Sequence, residues 1–359
     1  MKIAIIVGTR PEIIKMSPII RQCEQDNIAY FILHTGQHYS YNMDRVFFEQ
    51  LQLPLPHYNL DIGSGTHGTQ TAKILMGIEQ RLMEEQPDIV LVEGDTNTVL
   101  AGALAASKLH INVGHVEAGL RSYDRTMPEE INRILTDHCS DLLFAPTKTA
   151  YRILLHEQIP KDRIFVTGNT IVDAVYYNQE LALSKHDIFE KLHLEPHHYF
   201  LLTAHRQENV DNKERFQGVL QAMKQLHDRY CLPIVYPIHP RAKKMIEHFS
   251  LDAQDITFID PLDYLSFLQL QHHAKVIITD SGGVQEEACI LHVPCVTIRD
   301  NTERPETVDV GANILAGTKP DAIVSSVETM SKKETTWENP FGDGKTSRRI
   351  LQIIQEVIV

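Results

Sequence analysis

The stretch KIAIIVGTRPEIIK, residues 2–15, joins a short apolar run to a polar loop and then to a helix-like segment. An apolar run without polar alternation is typical of a strand that helices cover on both faces, as in a parallel sheet. The same order recurs in five later runs: AYFILH (29–34), DIVLVEG (88–94), INVGHVE (111–117), DLLFAP (141–146) and IFVTG (164–168). This alternation of strands and helices predicts a doubly wound sheet.

A second series of strands follows a largely helical and polar stretch. Its runs are YFLLTAH (199–205), LPIVYPIH (232–239), ITFID (256–260), KVIITDSGG (275–283) and VPCVTIRD (293–300). We therefore predict an α/β protein with two doubly wound Rossmann-like domains facing across a cleft, one over 1–169 and the other over 170–344. The last segment is amphipathic, and we expect a helix at about 345–359 to pack back on the first domain.

Length and composition limit the class of protein. A chain of 359 residues suits two ordinary domains, and 43% apolar with 23% charged residues is typical of a globular protein. A net charge of −13 argues against nucleic acid or an anionic membrane as the main partner, and no apolar run is long enough to span a bilayer. Five scattered cysteines without a CxxC pair, and no secretory signal, predict a cytoplasmic protein.

Nineteen histidines raise the question of a metal site. His34 and His38 are four residues apart, but their segment leaves a strand through a glycine and is not a helix with a ligand face. We therefore expect no metal.

Polar side chains follow the strands of both series, where ligands bind in open α/β sheets. They exceed what turns and helix caps require, and a binding site is expected in the cleft. The residues are Arg10, Lys15, Glu93, Asp95, His115, Glu117, Arg121, Glu129, Glu130 and Arg133 in the first series, and His205, Arg206, His239 and Arg241 in the second.

Each acidic residue also has a structural explanation. Asp95 could cap a helix that begins at Thr96, and Glu129 follows Pro128 in a first helical turn, where the dipole favours an acid. Glu117 ends a buried strand, where an unpaired carboxylate costs several kcal/mol. An ion pair with Arg121 or Arg133 is its structural alternative.

The run TDSGGVQEEA, residues 279–288, is the most specific single motif. Ser281, Gly282 and Gly283 would let the backbone approach a ligand, and a helix that starts near Val284 would direct its amides outward. Such a loop binds anions and suits a diphosphate, with Glu286 or Glu287 accepting hydrogen bonds from a ribose diol. No Walker loop is present and the first loop lacks GxGxxG, so neither ATP-type phosphoryl transfer nor a nicotinamide dinucleotide is indicated.

Eight motifs in order along the chain resemble those of the non-hydrolysing UDP-N-acetylglucosamine 2-epimerases. They are GTRPEIIKM (8–16), GDT (94–96), GHVEAGLRS (114–122), PEEINR (128–133), AHR (204–206), TDSGGVQEEA (279–288), TERPE (302–306) and NPFGDG (339–344). The resemblance implies a glycogen-phosphorylase-like (GT-B) fold, a homodimer, and interconversion of UDP-GlcNAc and UDP-ManNAc without metal or nicotinamide. In this family the C2 proton and UDP leave to give 2-acetamidoglucal, and UDP then adds back.

The resemblance also implies roles for individual residues. Asp95, Glu117, Glu129 and His205 match catalytic positions, although which acid serves which face of the sugar stays open. Residues expected to bind the substrate or its UDP are Arg10, Lys15, Arg133, Phe267, Ser281, Gly282, Gly283, Glu287 and Arg304. Glu287 would bind the ribose and Phe267 would lie near uracil. Arg304 would be structural or lie beside the phosphates.

Some bacterial members of this family bind a second UDP-GlcNAc as an activator. Gln37, Glu130 and His239 match the regulatory positions of that subset, whereas Thr69 and Gln207 stand where it has arginines. The departure argues against obligate activation by substrate. Closure of the two domains around the ligand is still expected.

Four alternatives remain open from the sequence. The chain could epimerise another UDP-2-acetamido sugar, such as a diacetamido uronate, or hydrolyse its substrate to ManNAc and UDP. A GT-B glycosyltransferase would share the fold but need an acceptor, and the acids at 95, 117 and 129 argue against it. A non-catalytic sensor of UDP-sugars would not need three carboxylates. Products of the family feed cell-envelope polysaccharides, among which the sequence does not choose.

Overall fold

The computed structural model describes residues 1–36, 41–182 and 187–358. The chain forms two compact units, of which the first comprises Met1–Tyr176 with Phe341–Val359 and the second Tyr177–Pro340. Among the described residues, no helix has the length and apolar character needed to cross a membrane.

The first unit contains a seven-stranded sheet in the order β3-β2-β1-β4-β5-β6-β7, and its recorded strand pairs are parallel. Its strands are β1 (Lys2–Val7), β2 (Ala29–His34), β3 (Tyr58–Asn59), β4 (Ile89–Glu93), β5 (Asn112–Val116), β6 (Leu142–Ala145) and β7 (Ile164–Val166). Its helices are α1 (Arg10–Gln25), α2 (Tyr41–Gln50), α3 (His67–Glu85), α4 (Asn97–Lys108), α5 (Pro128–Cys139), α6 (Lys148–His156), a 3-10 turn (Lys161–Arg163), α7 (Thr170–Ala182), which runs on into the range of the second unit, and the C-terminal α16 (Thr346–Ile358).

The second unit contains a six-stranded sheet in the order β10-β9-β8-β11-β12-β13, again with parallel pairs. Its strands are β8 (Phe200–Thr203), β9 (Ile234–Pro237), β10 (Ile256–Ile259), β11 (Val276–Thr279), β12 (Cys295–Thr297) and β13 (Asn313–Leu315). Its helices are α8 (Asp187–Leu192), α9 (Gln207–Val210), α10 (Lys213–Tyr230), α11 (Pro240–Phe249), α12 (Tyr264–His272), α13 (Gly282–Ile290), α14 (Pro305–Asp309) and α15 (Pro320–Met330).

Apolar burial explains why these runs form central strands. Residues Ile3–Val7 of β1 are wholly buried, as are Val90 and Val92 of β4, because helices cover both faces of the sheet. Helix α16 packs against α1 within the first unit. The two doubly wound sheets predicted from the sequence are confirmed. The short strands β3 and β13 are additional, and α13 begins at Gly282 rather than near Val284.

Each sheet has one point at which its strand order reverses. In the first unit β1 lies between β2 and β4, and in the second β8 lies between β9 and β11. Connections on the two sides of such a switch point run in opposite directions, so the carboxyl ends of the central strands are left open for ligands.

Candidate active site

In the first unit, Glu12 joins the loops that follow β1 and β4. It lies in the first turn of α1, is 2% exposed, and accepts hydrogen bonds from Gly8 N (2.6 Å), Thr9 Oγ1 (2.9 Å) and Thr96 Oγ1 (2.7 Å). Burial raises the pKa of this carboxyl to about 7, although the three hydrogen bonds oppose the shift. Glu12 had no predicted role. The available signal was its place in the GTRPE motif.

Lys15, one turn further along α1, lies between two carboxyl groups. Its Nζ is 3.3 Å from Glu93 Oε1 and forms a shorter ion pair with Glu117 Oε2. Asn169 Nδ2 donates a second hydrogen bond to Glu117 Oε2 at 2.9 Å. The sequence predicted Arg121 or Arg133 as the structural partner of Glu117. That prediction was wrong, because both arginines bind other acids. The Lys15 ammonium, which we expected to bind UDP, contacts carboxylates of its own chain.

The backbone at Glu117 adopts a conformation that side chains disfavour. Its φ is 67°, in the left-handed region, and Gly119 follows with a φ of 85°. The buried Asp137 anchors this turn, because it accepts from Gly119 N (3.2 Å), pairs with Arg121 (2.7 Å) and contacts His115 Nδ1 (2.6 Å). Burial raises the pKa of Asp137, but its charged partners prevail and lower it. A strained residue held by such a network is a candidate for function.

Asp95 forms an ion pair with Arg133, whose Nη1 also lies 3.1 Å from Glu130 Oε2. It does not cap α4, because Thr96 accepts the hydrogen bond from the Thr98 amide at 3.2 Å. The predicted capping role of Asp95 was wrong, because its neighbour Thr96 caps the helix.

Glu129 and Glu130, although adjacent, differ in environment. Glu129 lies in the first turn of α5, as predicted, and its side chain is exposed. Glu130 is 1% exposed and accepts hydrogen bonds at 2.9 Å from Ser122 N, Ser122 Oγ and Tyr123 N, in addition to its contact with Arg133. Glu130 therefore fixes the 119–127 loop onto α5.

The other positions matched to regulation are Gln37 and His239. Gln37 lies outside the described residues. His239 caps α11 by accepting a hydrogen bond from Arg241 N at 3.2 Å. Burial, followed by the charges of His205 and Arg241, lowers the pKa of His239.

Arg10 is the first residue of α1. Its guanidinium lies over the ring of Phe47, 5.4 Å from the centroid, which is within the range of a cation–π contact.

At the switch point of the second unit, Asp280 organises the loop that follows β8. It is fully buried and accepts hydrogen bonds from His205 N (3.0 Å), Arg206 N (3.0 Å) and Asn209 Nδ2 (3.2 Å). His205 Nδ1 lies 3.1 Å from Asp280 Oδ1, while the imidazole stays half-exposed. Burial raises the pKa of Asp280, but these partners, His205 foremost, outweigh it and hold the pKa below its ordinary value. Asp280 thus orients His205.

Ser281, Gly282 and Gly283 form the N-terminus of α13. Ser281 N donates to Thr279 Oγ1 at 2.9 Å, and the Ser281 side chain does not cap the helix. Among the atoms that the structure describes, a Cβ built on Gly283 meets none within 4 Å, and one on Gly282 meets only Glu303 Oε2 at 3.7 Å. Packing within the described residues therefore does not require these glycines. The first amides of a helix lack intrahelical partners, so this end can bind an anion.

The two acids in the middle of α13 have distinct partners. Glu286 contacts Arg304 Nε at 2.6 Å, whereas Glu287 accepts hydrogen bonds from Tyr264 Oη (3.0 Å) and Gln271 Nε2 (2.7 Å). Burial, together with the Glu287 charge, raises the pKa of Tyr264 well above its ordinary value. Phe267 is half-buried on α12, the helix that carries Tyr264 and Gln271.

Across the described residues, no group of three or more His, Cys, Asp or Glu side chains is arranged to hold a metal ion. The polar sites at both switch points consist instead of ion pairs and hydrogen bonds within the chain.

Comparisons with known proteins identify the family of this chain. The family model of UDP-N-acetylglucosamine 2-epimerase matches residues 21–355. The UDP-N-acetylglucosamine 2-epimerase of Methanocaldococcus jannaschii is 56% identical over 99% of both chains. Its crystal structure in complex with UDP-GlcNAc and UDP gives a TM-score of 0.91 and covers 99% of this chain and 100% of that one. The UDP-2,3-diacetamido-2,3-dideoxy-D-glucuronate 2-epimerase of Pseudomonas aeruginosa is 42% identical over 99% of this chain and 100% of its own. The chain belongs to the UDP-N-acetylglucosamine 2-epimerase family.

Proposed function

We propose that this chain interconverts UDP-GlcNAc and UDP-ManNAc, by eliminating UDP to 2-acetamidoglucal and adding it back. The observation that carries the proposal is the placement of Glu117 at the end of β5, in a left-handed conformation, with Lys15 and Asn169 holding its carboxylate. The M. jannaschii relative, bound to UDP-GlcNAc and UDP in its crystal structure, supports this substrate.

The C2 proton of such a sugar is weakly acidic because its neighbour is an acetamido group rather than a ketone. Elimination must therefore be driven mainly by stabilising the departing UDP. We assign this task to Arg10, His205 and the backbone amides at Gly282 and Gly283. The Asp280 hydrogen bonds fix the backbone and ring of His205, so that little reorganisation is needed when the diphosphate leaves.

Inversion at C2 needs proton transfer on two faces of the sugar, and hence more than one acid–base group. We assign Glu117 to one face, and Asp95 and Glu129 are the candidates for the other. Glu117 is paired with Lys15 and Asp95 with Arg133, so the position of each carboxyl group is fixed. Arg133 would act through Asp95 rather than on the substrate.

The nucleoside would bind at α12 and α13. Glu287 is held by Tyr264 and Gln271, which leaves its orientation fixed for a ribose diol. Phe267 lies between Tyr264 and Gln271 on α12, and we assign it to uracil. Arg304 would support α13 through Glu286.

A proton NMR time course with UDP-GlcNAc in heavy water tests the proposed reaction. We expect UDP-ManNAc to accumulate with deuterium at C2 in both epimers. Free ManNAc and UDP as products would assign the chain to the hydrolysing branch. Binding of UDP without turnover would point to another sugar or to a transferase.

A second substrate deserves the same experiment because of the P. aeruginosa relative, named a UDP-2,3-diacetamido-2,3-dideoxy-D-glucuronate 2-epimerase. The identity to that protein is 42%, against 56% to the M. jannaschii one, which favours UDP-GlcNAc. We expect the diacetamido uronate to be turned over more slowly, and faster turnover would reverse the assignment.

We also propose that the protein is a homodimer through the outer face of α3 and α5. Met76 and Met83 of α3 are 67% and 55% exposed, and Leu135 of α5 is 46% exposed. Helix α4 packs against both helices, so these side chains belong to one layer. Exposed apolar groups of this kind mark association surfaces. Replacing Met76 and Met83 with Glu should shift sedimentation from dimer to monomer, whereas the control Phe258→Glu in the second unit should not.

We place the enzyme in the cytoplasm, since Cys23, Cys289 and Cys295 are buried free thiols. UDP-ManNAc made there would supply the synthesis of cell-envelope polysaccharides.

A further inference from the structure

The cluster formed by Lys15, Glu93 and Glu117 holds more acid than the reaction uses. We infer that Glu93 carries a proton and serves as a positioning residue that keeps the Lys15 ammonium on an ionised Glu117. The inference rests on the proposed role of Glu117 in proton transfer. Glu93 itself would touch neither the sugar nor UDP.

All three side chains are withdrawn from water. The side chains of Glu93 and Glu117 are 2% and 4% exposed, and that of Lys15 is 11% exposed. Glu93 ends β4, Glu117 follows β5, and these two strands are neighbours in the sheet. Lys15 reaches the two acids from α1, and Glu12 approaches from the same helix as a further acidic group.

The charges of these three described side chains favour a proton in the cluster. Two carboxylates and one ammonium leave a net charge of −1 in a buried space, and an uncompensated buried charge costs several kcal/mol. Uptake of one proton makes the cluster neutral.

The contacts decide which carboxyl holds the proton. Glu117 has the shorter ion pair with Lys15 and also accepts a hydrogen bond from Asn169 at 2.9 Å, both of which favour its carboxylate form. Glu93 has the longer contact, 3.3 Å from Lys15. Burial raises the pKa of Glu93 well above its ordinary value, with Lys15 opposing and with Glu117 and Glu12 adding to the shift.

A neutral Glu93 has a consequence for Glu117. The positive charge of Lys15 then acts on one carboxylate, which keeps Glu117 deprotonated and ready to accept the C2 proton. An ionised Glu93 would compete for Lys15 and raise the proton affinity of Glu117. The side chain of Glu93 also fills the space beside the ammonium, which limits the positions that Lys15 can take.

Variants at position 93 test this role. Glu93→Ala should lower kcat by up to about 100-fold with little change in KM, because Lys15 is then free to move by the ångström or so that such a loss requires. The neutral isostere Glu93→Gln should restore most of kcat and leave the pH profile of kcat/KM unchanged. Loss of activity in Glu93→Gln as large as that in Glu93→Ala, or disappearance of an ionisation from its profile, would overturn the inference.

Infrared spectroscopy of the resting protein tests the proton directly and needs no turnover, so the inference can fail while the proposed reaction stands, and the reverse. The spectrum is taken above the pKa of Glu12, about 7, so that Glu12 is mostly ionised. We expect the carbonyl band of a protonated carboxylic acid in the wild type and its loss in Glu93→Gln. It should also vanish in Glu117→Gln, because Lys15 then pairs with an ionised Glu93. A wild-type spectrum without this band, or a band that persists in Glu93→Gln, would contradict the assignment.

Discussion

The two switch points of the molecule differ in how their polar groups are used. At the first, acids are paired within the chain: the buried Glu117 with Lys15, the partly buried Asp95 with Arg133, and the buried Asp137 with Arg121. At the second, α13 begins with Gly282 and Gly283, and the space beside both glycines is open. The backbone amides at this helix N-terminus are available to a ligand. The same topology thus supports two kinds of site.

The difference follows from the chemistry proposed for each. A proton-transfer group needs a defined protonation state and orientation, which fixed ion pairs supply. A site for a diphosphate needs donors that are already oriented and not yet used, which a helix N-terminus supplies. Variants of the first site should therefore change catalysis or stability, whereas variants of the α13 N-terminus should change nucleotide affinity.

The largest effect should come from Glu117→Gln. The amide cannot accept the C2 proton, and loss of a general base costs about 10²–10⁴-fold in rate. We expect exchange of the C2 proton, followed by NMR in heavy water, to fall by that factor while UDP affinity is kept.

The matched control is Glu214→Gln, which removes an exposed carboxylate on α10 and should leave exchange unchanged. Near-normal exchange in Glu117→Gln would end the case for Glu117 as the base and would leave Asp95 and Glu129 to be tested alone.

Asp137→Asn should have the next largest effect, on stability. The change leaves the buried Arg121 with one acid instead of two, and breaking a buried ion pair typically costs about 3–5 kcal/mol. Urea unfolding should show this loss, and the left-handed turn at Glu117 should lose its anchor. Asp162→Asn, at an exposed position, is the control and should leave unfolding unchanged. An equally stable Asp137→Asn would mean that the network does not support the turn.

The sequence predicted the sheets because their central strands are continuous apolar runs whose burial decides the structure locally. It missed β3, whose two residues are too few for a pattern, and it also missed β13. The strand-end acids could be identified because each follows such a run. Their partners could not, since Lys15 and Asn169 lie 102 and 52 residues from Glu117.

The cap of α4 shows a finer limit of sequence reasoning. Asp95 and Thr96 are adjacent and both are good caps. The ion pair with Arg133, 38 residues away, occupies Asp95 and leaves the capping to Thr96. A tertiary ion pair therefore determines which of the two residues caps α4. The hydrogen bond from Thr96 to Glu12, across 84 residues, is likewise a tertiary contact that local sequence does not predict.

The buried carboxyl group of Glu12 should make the stability of the protein depend on pH. Burial raises its pKa from 4.5 to about 7, so between these values the folded state binds a proton that the unfolded state does not. The free energy of unfolding should therefore fall as pH rises through this window, by at most about 3 kcal/mol. In Glu12→Gln this decline should be absent, which chemical denaturation at several pH values would measure. A parallel decline in wild type and variant would assign the dependence to other groups.

The smallest expected effect, at Gly283, tests the open side of the comparison. A methyl group there meets no atom of the described residues within 4 Å, and alanine is the better helix former, so Gly283→Ala should keep or raise the melting temperature. The methyl would nevertheless enter the space of the bound diphosphate and weaken UDP about tenfold, or 1.4 kcal/mol. Gly218→Ala offers the contrast, because its Cβ would lie 2.4 Å from Thr318 O. That variant should lose stability and keep its affinity for UDP, as titration calorimetry would show. If both variants bound UDP like the wild type, Gly283 would have no role in ligand binding, and the difference between the two switch points would need another cause.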